Sequence, residues 1–582
     1  MANLRLQKLV NYLRPHWRTV LIGVVALFIV NLLGVYIPLL ISNTIDSLQR
    51  EFSFSQLSRT ALWLLLLSAV MWCFRMLSRV VIFGAGRQVE FTLKQRIFQH
   101  LLTIEPEYFS DNRSGDLINR ATSDVDNIRR LVGFAVLSFI NIIFAYGFTL
   151  PAMLRIHVRL TLLALTVYPL MLITVQLFSG KLRKYQQEIQ VKLSDLSELI
   201  QEDMSGMALI RIYAQENQER EAFRQKNRKL YEANLRLART RNFLFPVIEG
   251  ISYISLLILL WLGTGAIAAN QITVGDFIAL VLFVERLTFP TALLGFTISA
   301  YQQGEVSIDR VEAITQAEPK IRNNPQSIVL LNEDIRGKIS ARNLTYTYPG
   351  ASTPALYDIN FTIEPGETVA IVGSIGAGKT TLANAIPRLL NVESGELFLD
   401  NHDITKLDPA TLRKAIACVP QDSFLFSTSI KNNIRYGEPL EETDEVISAA
   451  KQAQIHSEIL TFPQEYDTLV GERGITLSGG QRQRTSLARA LLADAKILII
   501  DDALSSVDNE TATRILKSLS PIRAKKTVIF ISHQLSAAAT CDRILVMDEG
   551  KIVQNGTHEA LVQETGLYRS LWQQHQLKEV LN

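Results

Sequence analysis

The sequence predicts two domains of different fold class, an all-helical domain with six membrane-spanning segments and an α/β domain built on a largely parallel sheet. Three observations predict this division. Long apolar stretches crowd residues 20–301, strands and helices alternate from residue 337 onward, and 582 residues are too many for one hydrophobic core. We therefore expect a membrane domain at residues 1–310, a linker at 311–336 and the α/β domain at 337–582.

Six apolar segments in the N-terminal half are each long enough to cross a bilayer, which takes about 20 residues of helix. They lie near residues 20–41, 61–84, 131–154, 160–180, 243–269 and 274–301. The first segment follows Lys8, Arg14 and Arg18 and superficially resembles a signal peptide, but it is long and lacks a small-residue cleavage pattern. We interpret it as a retained membrane anchor.

The loops between these segments differ in charge, and this difference predicts the orientation. Short loops at residues 42–60, 155–159 and 270–273 carry few cations, whereas the two long loops are rich in lysine and arginine. The positive-inside rule then places both termini and the α/β domain in the cytoplasm, with the chain in the inner (plasma) membrane. The net charge of +3 does not indicate a nucleic-acid partner.

The two long loops keep apolar residues at helical spacing, so the membrane helices are expected to run well out into the cytosol. Each extension is interrupted by a short turn-forming motif, at residues 105–111 with Gly115 and at residues 204–206. Short helices at these tips could transmit force to another domain. The alternative is that they only close a hairpin in water.

Several charged residues fall inside the apolar segments, where a charge is costly unless it meets a partner or water. Arg75 and Arg79 lie near enough to the inner face for their side chains to reach it. Glu285 and Arg286 fall about midway along the sixth segment, where either a polar cavity or an ion pair between helices would explain them. Glu249 in the fifth segment is a similar but weaker case.

The C-terminal half contains the phosphate-binding pattern GxxxxGK[ST], formed by Gly373, Ser374, Ile375, Gly376, Ala377, Gly378, Lys379 and Thr380. It follows a β-branched run at residues 368–372 and opens a predicted helix at 380–390. In this setting the glycines let backbone N–H groups surround phosphate oxygens, Lys379 reaches the β- and γ-phosphates, and Thr380 binds Mg²⁺. The pattern predicts an ATP site, which also includes Thr381.

Two further motifs belong to the same chemistry. The apolar run at residues 497–500 ends in Asp501 and Asp502, and Asp501 at a strand tip is the expected Mg²⁺-side carboxylate of a P-loop ATPase. A second anion site is predicted at the N-terminus of the helix expected over 482–493. It consists of Ser478, Gly479, Gly480 and Gln481. Because this site has no phosphate loop of its own, we expect its phosphate to belong to another subunit.

Taken in order, these motifs resemble those of ATP-binding-cassette exporter half-transporters with the type IV fold, and the resemblance covers the whole chain. It is strongest to the multidrug-resistance-like ATP-binding half-transporters of bacteria. The resemblance implies that the tips at 105–115 and 206 are coupling helices swapped between subunits. It also implies that Tyr348 stacks on adenine and that Gln421 senses Mg²⁺. By the same resemblance, Ser478–Gln481 form the signature motif that closes over the partner's ATP, Ser505–Asp508 form a loop that joins the two sites, and His533 is the switch histidine.

The chain departs from this family at one position. The family has a glutamate directly after the Walker B aspartate, whereas this chain has Asp502 after Asp501. Its carboxylate sits one methylene, ~1.5 Å, further back, and positioning of the attacking water depends on such distances. Together with the complete signature, this resembles one partner of a heterodimeric exporter, whose other half would carry the glutamate. A homodimer with a slow Asp502 base is the alternative.

The expected function is ATP-driven export of a hydrophobic or amphipathic substrate, with Asp502, His533 and Gln421 as the catalytic residues and Thr380, Gln421 and Asp501 around Mg²⁺. A lipid flippase has the same architecture and differs only in the chemistry of its cavity. A regulatory or channel-like subunit gated by ATP is a third hypothesis, against which Gln421 and the signature argue.

Overall fold

The protein forms two compact units, residues 1–103 with 112–317 and residues 104–111 with 318–582. The computed structural model describes residues 2–50, 53–322, 326–504, 507, 511, 514, 515, 526–532 and 535–581. Within these residues the N-terminal unit is helical and the C-terminal unit contains all the strands. The fold classes predicted for the two halves are therefore confirmed.

Twelve α-helices occupy the described chain up to residue 315. They are α1 (Ala2–Leu13), α2 (Trp17–Arg50), α3 (Phe54–Leu101), α4 (Pro106–Asp111), α5 (Ser114–Asn119), α6 (Val125–Arg130), α7 (Val136–Ile156), α8 (Val158–Leu165), α9 (Tyr168–Ser205), α10 (Met207–Ile212), α11 (Glu216–Ala268) and α12 (Val274–Thr315). Two π-helical turns, Arg120–Asp124 and Leu131–Ala135, join α5, α6 and α7.

Six helical stretches of the described chain are long and apolar enough to cross a membrane, as predicted. They are Gln7–Arg50, Phe54–Leu101, Ser114–Ile156, Val158–Ser205, Glu216–Ala268 and Val274–Thr315. Each is longer than the apolar segment it contains, which confirms that the helices continue through the polar sequence beside them. The last of them, α12, ends at Thr315 and so enters the stretch expected to be a linker.

The interrupting motifs form short helices. Residues 105–111 give α4, followed by α5, and Gly206 separates α9 from α10. The α4 segment belongs to the C-terminal unit, where Glu105 Oε2 accepts a hydrogen bond from the Lys320 backbone N (3.2 Å) and Glu107 pairs with Lys320 Nζ at 3.0 Å. Short helices at the tips are thus present, and their role in coupling stays a prediction.

Helix α12 is the central element of the N-terminal unit, because it packs against α2, α7, α9 and α11. A capping box starts it, in which Thr273 Oγ1 accepts from Asp276 N (3.0 Å) and Asp276 Oδ2 accepts from Thr273 N (3.3 Å). Its fully buried side chains Phe283, Val284 and Leu287 join residues of the other helices in one apolar cluster. The burial of large side chains on one helix fixes the arrangement around it.

The C-terminal unit contains two sheets. The strands are β1 (Ile339–Tyr346), β2 (Leu356–Ile363), β3 (Thr368–Gly373), β4 (Leu397–Leu399), β5 (His402–Asp403), β6 (Ile416–Val419), β7 (Ile497–Asp501), β8 (Thr527–Ile531), β9 (Arg543–Asp548) and β10 (Lys551–Gly556). The larger sheet has the order β10-β9-β3-β8-β7-β6, and all its pairs are parallel except β10 with β9. This is the largely parallel sheet that was expected. The smaller antiparallel sheet, β2-β1-β4-β5, was not predicted.

Helices of the C-terminal unit follow the strands. They are α13 (Lys379–Ala385), α14 (Pro409–Lys414), α15 (Ile430–Ile434), α16 (Thr443–Gln452), α17 (His456–Ile459) and α18 (Gly479–Leu492), with further helices at Leu535–Ala538, His558–Gln563 and Leu567–Leu581. The prediction of a helix over 380–390 is wrong at its end. Pro387 disfavours helical backbone at the residue before it and cannot donate to the helix, and Arg388 has a positive φ of 53°.

The parallel strands decide where a ligand can bind. In β3, β8, β7 and β6 every strand runs in the same direction, so their carboxyl ends, Gly373, Ile531, Asp501 and Val419, lie at one edge of the sheet. In open α/β sheets ligands bind in the crevice outside this edge. The phosphate loop after β3, Asp501 and Asp502 at the end of β7 and Gln421 after β6 are therefore brought to the same edge.

Candidate nucleotide-binding site

The loop between β3 and α13 has the backbone that the phosphate-binding pattern requires. Gly373 has a φ of 150° and Gly378, the N-cap of α13, a φ of 90°. A Cβ at Gly373 would overlap the Met547 carbonyl oxygen on the neighbouring strand β9. Only glycine allows both this conformation and this close approach, so the loop can wrap its N–H groups around an anion.

Lys379 is the buried cation of this loop, with 7% of its surface exposed. Its Nζ donates to the carbonyl oxygens of Gly373 (3.0 Å) and Ser374 (2.7 Å). Burial lowers the pKa of Lys379, while the negative charges of Asp501 and Asp502 act in the opposite direction. The side chain is thus held in the loop, close to two carboxylates, where a phosphate would compensate its charge.

One cavity of about 350 Å³ collects most of the predicted site. It is lined by Tyr348, Ala355, Ile375, Gly376, Ala377, Gly378, Lys379, Thr380, Thr381, Gln421, Asp501, Asp502 and Ile531. Its volume lies within the range of small-molecule sites, about 300–1,000 Å³. Gly373 and Ser374 do not line it but form the start of the loop. Thr380, Gln421 and Asp501 supply the hydroxyl, carbonyl and carboxylate oxygens that Mg²⁺ prefers.

Asp501 and Asp502 are both buried at the end of β7. The backbone N of Asp502 donates to the Ile531 carbonyl oxygen (2.8 Å), and its φ is 46°, in the left-handed region. A non-glycine residue in this region is uncommon and is found preferentially at functional sites. The main chain of Asp502 is therefore fixed to β8, so the reach of its carboxylate into the cavity depends on the length of the side chain.

Tyr348 lies at the mouth of the cavity. Its ring packs edge-on against Tyr346, with 5.1 Å between centroids, and its Oη is 3.3 Å from Thr381 Oγ1. Burial, and secondly the carboxylate of Glu107, raises the pKa of Tyr346 to about 12, so this supporting phenol stays neutral. With 39% of its surface exposed, Tyr348 presents a ring on which a planar group could stack.

The second predicted anion site, Ser478–Gln481, does not lie in the cavity at the phosphate loop. Ser478 is the N-cap of α18 and forms a capping box, in which its Oγ accepts from Gln481 N (3.2 Å) and its own N donates to Gln481 Oε1 (2.9 Å). None of the four residues from Ser478 to Gln481 lines the cavity at the phosphate loop. Gly479 instead lines a second cavity of about 750 Å³, which Gln421 shares. Gln421 therefore lies between the two.

Two supporting residues, Asp548 and Glu458, could not be found from the motifs. Ser374 Oγ donates to Asp548 Oδ1 (2.8 Å), which holds the phosphate loop to β9, and Glu458 accepts from Gln481 Nε2 (3.0 Å) while pairing with Arg484 at 2.6 Å. No sequence signal points to Asp548 or Glu458, because their partners are distant in the chain. The predicted residues Ser505, Ser506, Asp508 and His533 lie outside the described residues.

Comparison with known proteins agrees with this geometry. Residues 20–291 match the ABC transporter transmembrane region, and residues 356–505 match the ATP-binding domain of ABC transporters. The chain is 32% identical over 574 residues to the probable multidrug resistance ABC transporter ATP-binding/permease protein YheI of Bacillus subtilis, covering 98% of both chains. The chain therefore belongs to the ABC transporter family.

Other ABC transporters match over similar lengths. The multidrug resistance-like ATP-binding protein MdlA of Escherichia coli is 31% identical, covering 98% of this chain and 96% of that protein. The ATP-dependent lipid A-core flippase of Syntrophus aciditrophicus is 32% identical, covering 98% and 94%. The solved structure of a bacterial Atm1-family ABC exporter with ATP bound superposes with a TM-score of 0.75 at 25% identity, covering 96% of this chain and 98% of that one.

The family establishes the general activity of this ABC transporter. It is a half-transporter of the exporter type, a multi-pass protein of the inner membrane with a cytoplasmic ATPase domain. It binds ATP with Mg²⁺, couples ATP hydrolysis to export and works as a dimer in the lipid bilayer. The expectations of fold, family, nucleotide and location drawn from the sequence are confirmed.

Proposed function

We propose that this chain is the half of a heterodimeric ABC exporter whose own Walker B site turns ATP over slowly. The observation that carries the proposal is Asp502, an aspartate at the position that follows the Walker B aspartate. The partner chain would carry a glutamate there. The exported substrate would be hydrophobic or amphipathic, in keeping with relatives named for multidrug resistance and for lipid A-core flipping.

In this proposal the residues of the 350 Å³ cavity bind and orient ATP. Tyr348 stacks on the adenine, the backbone N–H groups from Ile375 to Thr381 surround the phosphates, and Lys379 exchanges its bonds to the loop carbonyls for phosphate oxygens. Thr380, Gln421 and Asp501 hold Mg²⁺. The metal, when bound, supplies positive charge against the phosphates.

Asp502 would orient the attacking water, and its geometry argues that it does so poorly. The main chain of Asp502 is tied to Ile531 and held at a positive φ, so the backbone does not shift forward to compensate for the shorter side chain. A displacement of ~1 Å in a reacting group can lower the rate about 100-fold. The other residues of the cavity support nucleotide binding. The expected result is a site that holds ATP with little turnover.

The signature residues Ser478–Gln481 support the proposal that the fast ATP site is formed together with the partner chain. Their capping box orders the start of α18, and none of them lines the cavity at the domain's own phosphate loop. A helix N-terminus of this kind binds an anion, and the phosphate would come from ATP held by the partner chain. The fast site of the dimer would thus combine the partner's glutamate with the signature of this chain.

The experiment compares the ATPase activity of the purified chain alone with that of the Asp502→Glu variant, with Asp502→Asn as the control that removes the carboxylate charge. We expect the wild-type chain to be nearly inactive, the glutamate variant to gain at least about tenfold and the asparagine variant to gain nothing. Brisk hydrolysis by the wild-type chain alone, with little added by glutamate, would instead establish the homodimer with an Asp502 base.

A further inference from the structure

Three arginines meet in one cavity of the N-terminal unit, between helices α2, α3, α7 and α12. The cavity has a volume of about 250 Å³, and its polar side chains include those of Arg75, Arg79 and Arg286. All of its lining residues belong to the described part of the chain, and none of them is acidic. Glu285 and Glu249, the two carboxylates of the neighbouring apolar segments, are exposed and do not line it.

Arg286 is the best-fixed member of this cluster. Its Nη2 donates to the backbone oxygen of Asn31 (3.1 Å) and to Asn31 Oδ1 (3.0 Å), and the amide of Asn31 donates in turn to Asn141 Oδ1 (3.0 Å). The Arg286 Nε is buried and has no hydrogen-bond partner among the described residues. The guanidinium is thus oriented by neutral groups and keeps unused hydrogen-bonding capacity.

A glycine makes room for this guanidinium. Gly34 on α2 is buried, and a Cβ at this position would overlap the Nη1 and Cζ atoms of Arg286. The side chain of Arg286 therefore lies directly over the backbone of α2, a position that any residue larger than glycine would close. The cationic site depends on a residue that carries no charge and lies 252 positions away in the sequence.

Three positive charges without a carboxylate are costly in a membrane-spanning region, and such groups are retained there when they serve a ligand, a partner or water. Arg75 and Arg79 are exposed, one helical turn apart on α3, and the described residues provide no ion pair for either. Mutual repulsion raises the cost further. An anion bound between the three guanidinium groups would lower it, because arginine binds phosphate and carboxylate through several parallel hydrogen bonds.

We propose that this cavity binds the anionic headgroup of an amphipathic substrate, most simply a phosphate monoester carried on a hydrocarbon chain. The proposal rests on the hydrophobic or amphipathic substrate proposed above and specifies its chemical class. The volume of about 250 Å³ suits a headgroup rather than a whole lipid or drug. Apolar lining residues beside the arginines, Leu27, Val30, Ile142, Phe289 and Leu293, would contact the adjoining hydrocarbon.

The test measures binding of phosphatidic acid and of phosphatidylcholine to the full-length protein in neutral detergent, by native mass spectrometry and without ATP. We expect the wild-type protein to bind phosphatidic acid at least about tenfold more tightly than phosphatidylcholine. Arg286→Gln and Arg75→Gln should each remove most of this preference. Gly34→Ala should do the same, because it displaces the Arg286 guanidinium without changing the net charge.

Two matched controls accompany these variants. Arg159→Gln removes an exposed arginine outside the cavity, and Gly84→Ala adds a methyl group at a helical glycine with open space around it. Both should bind phosphatidic acid within about twofold of wild type, as surface substitutions usually have small effects. If Arg286→Gln does not assemble, Arg75→Gln decides, since the exposed Arg75 side chain supports no core packing.

Three results would overturn the proposal: no preference for phosphatidic acid, an unchanged preference in both Arg75→Gln and Gly34→Ala, or an equal loss in the two controls. If millimolar inorganic phosphate displaces phosphatidic acid, the cavity binds a small free anion, and the proposal of an amphipathic ligand is wrong. Because binding is measured without ATP, a failure of the heterodimer proposal leaves this result standing. Intact binding together with no transport of phosphatidic acid would count against the proposed transport of an amphipathic substrate alone.

Discussion

The nucleotide cavity of the C-terminal unit and the arginine cavity of the N-terminal unit are built in opposite ways. The first takes most of its lining from one continuous stretch, Ile375–Thr381, and the rest from the ends of neighbouring parallel strands and from the segment between β1 and β2. The second takes three to five residues from each of α2, α3, α7 and α12, which are far apart in the chain. A ligand common to a whole family needs a fixed loop, whereas a cavity between helices can change residue by residue.

The two cavities also differ in how their positive charge is balanced. In the nucleotide cavity the positive charge of Lys379 is balanced by the nearby carboxylates of Asp501 and Asp502. In the arginine cavity no lining residue is acidic, so the balancing charge must come from outside the described chain. Substitutions in the first site should therefore abolish nucleotide binding, while those in the second should change which substrate is bound.

The largest effect is expected for Lys379→Ala, which removes the buried cation of the phosphate loop. Affinity for ATP should fall about 100-fold or more, because truncating one partner of a buried charge pair costs roughly 3 kcal/mol. Equilibrium binding of a fluorescent ATP analogue measures the loss. Lys338→Ala, at a surface lysine that pairs with Glu364, is the matched control and should bind as wild type does. Equal ATP affinities of the two variants would show that Lys379 does not contribute to nucleotide binding.

Next in size is Asn31→Asp, which places a carboxylate where Asn31 Oδ1 now accepts from Arg286 at 3.0 Å. The side chain keeps its shape, so the cavity should remain, but an internal ion pair would neutralise Arg286. We expect the preference for phosphatidic acid over phosphatidylcholine to fall more than about tenfold, with ATP binding unchanged. A variant that kept the preference would show that the charge of Arg286 does not select the ligand.

A smaller effect is expected at Tyr348, where the ring rather than the hydroxyl should matter. The hydroxyl contact with Thr381 is long, at 3.3 Å, so Tyr348→Phe should bind ATP within about twofold of wild type. Tyr348→Ala should weaken binding about five- to tenfold, since stacking of a base on an aromatic ring contributes roughly 1–3 kcal/mol. Comparing ATP with inorganic triphosphate checks the cause, because the loss should vanish for triphosphate.

The smallest effect is expected for Glu458→Gln, which weakens the support of α18 without touching the phosphate loop. Steady-state ATPase activity of the assembled dimer should fall about threefold, because Glu458 is partly exposed and an exposed ion pair contributes less than about 1 kcal/mol. ATP affinity at the chain's own phosphate loop should stay the same. Glu442→Gln, an exposed glutamate with no side-chain capping bond, is the control. A matching loss in the control would rule out a specific role for Glu458.

Much of the fold was predictable because its signals are local. Six apolar segments follow directly from the length needed to cross a bilayer, and the phosphate pattern between β3 and α13 follows from the glycines that its backbone requires. The small antiparallel sheet was missed. Its strands β1, β2, β4 and β5 are joined by long-range pairing, for which the short runs give no distinct periodicity.

The positions of the charged side chains within the apolar segments were harder to predict. Arg75 and Arg79 were expected at the inner membrane face, because snorkelling is the usual outcome near a helix end. In the structure both line the same cavity as Arg286, because α2, α3 and α12 pack around it, and their depth in the bilayer stays a prediction. Of the two residues Glu285 and Arg286, only the arginine lines it. Adjacent residues on a helix point about 100° apart, and the sequence does not show which of them faces inward.

The sequence by itself determined the two fold classes, the six spans, the ATP site and the family, because each depends on a run of neighbouring residues. It also determined the Asp502 departure, which needs no structure to be seen. Only the tertiary structure decided which side chains support the site from a distance, such as Asp548 under Ser374, and that Gly34 admits the guanidinium of Arg286. The physical reason is that contacts between distant segments arise from packing, and packing leaves no periodic trace in the chain.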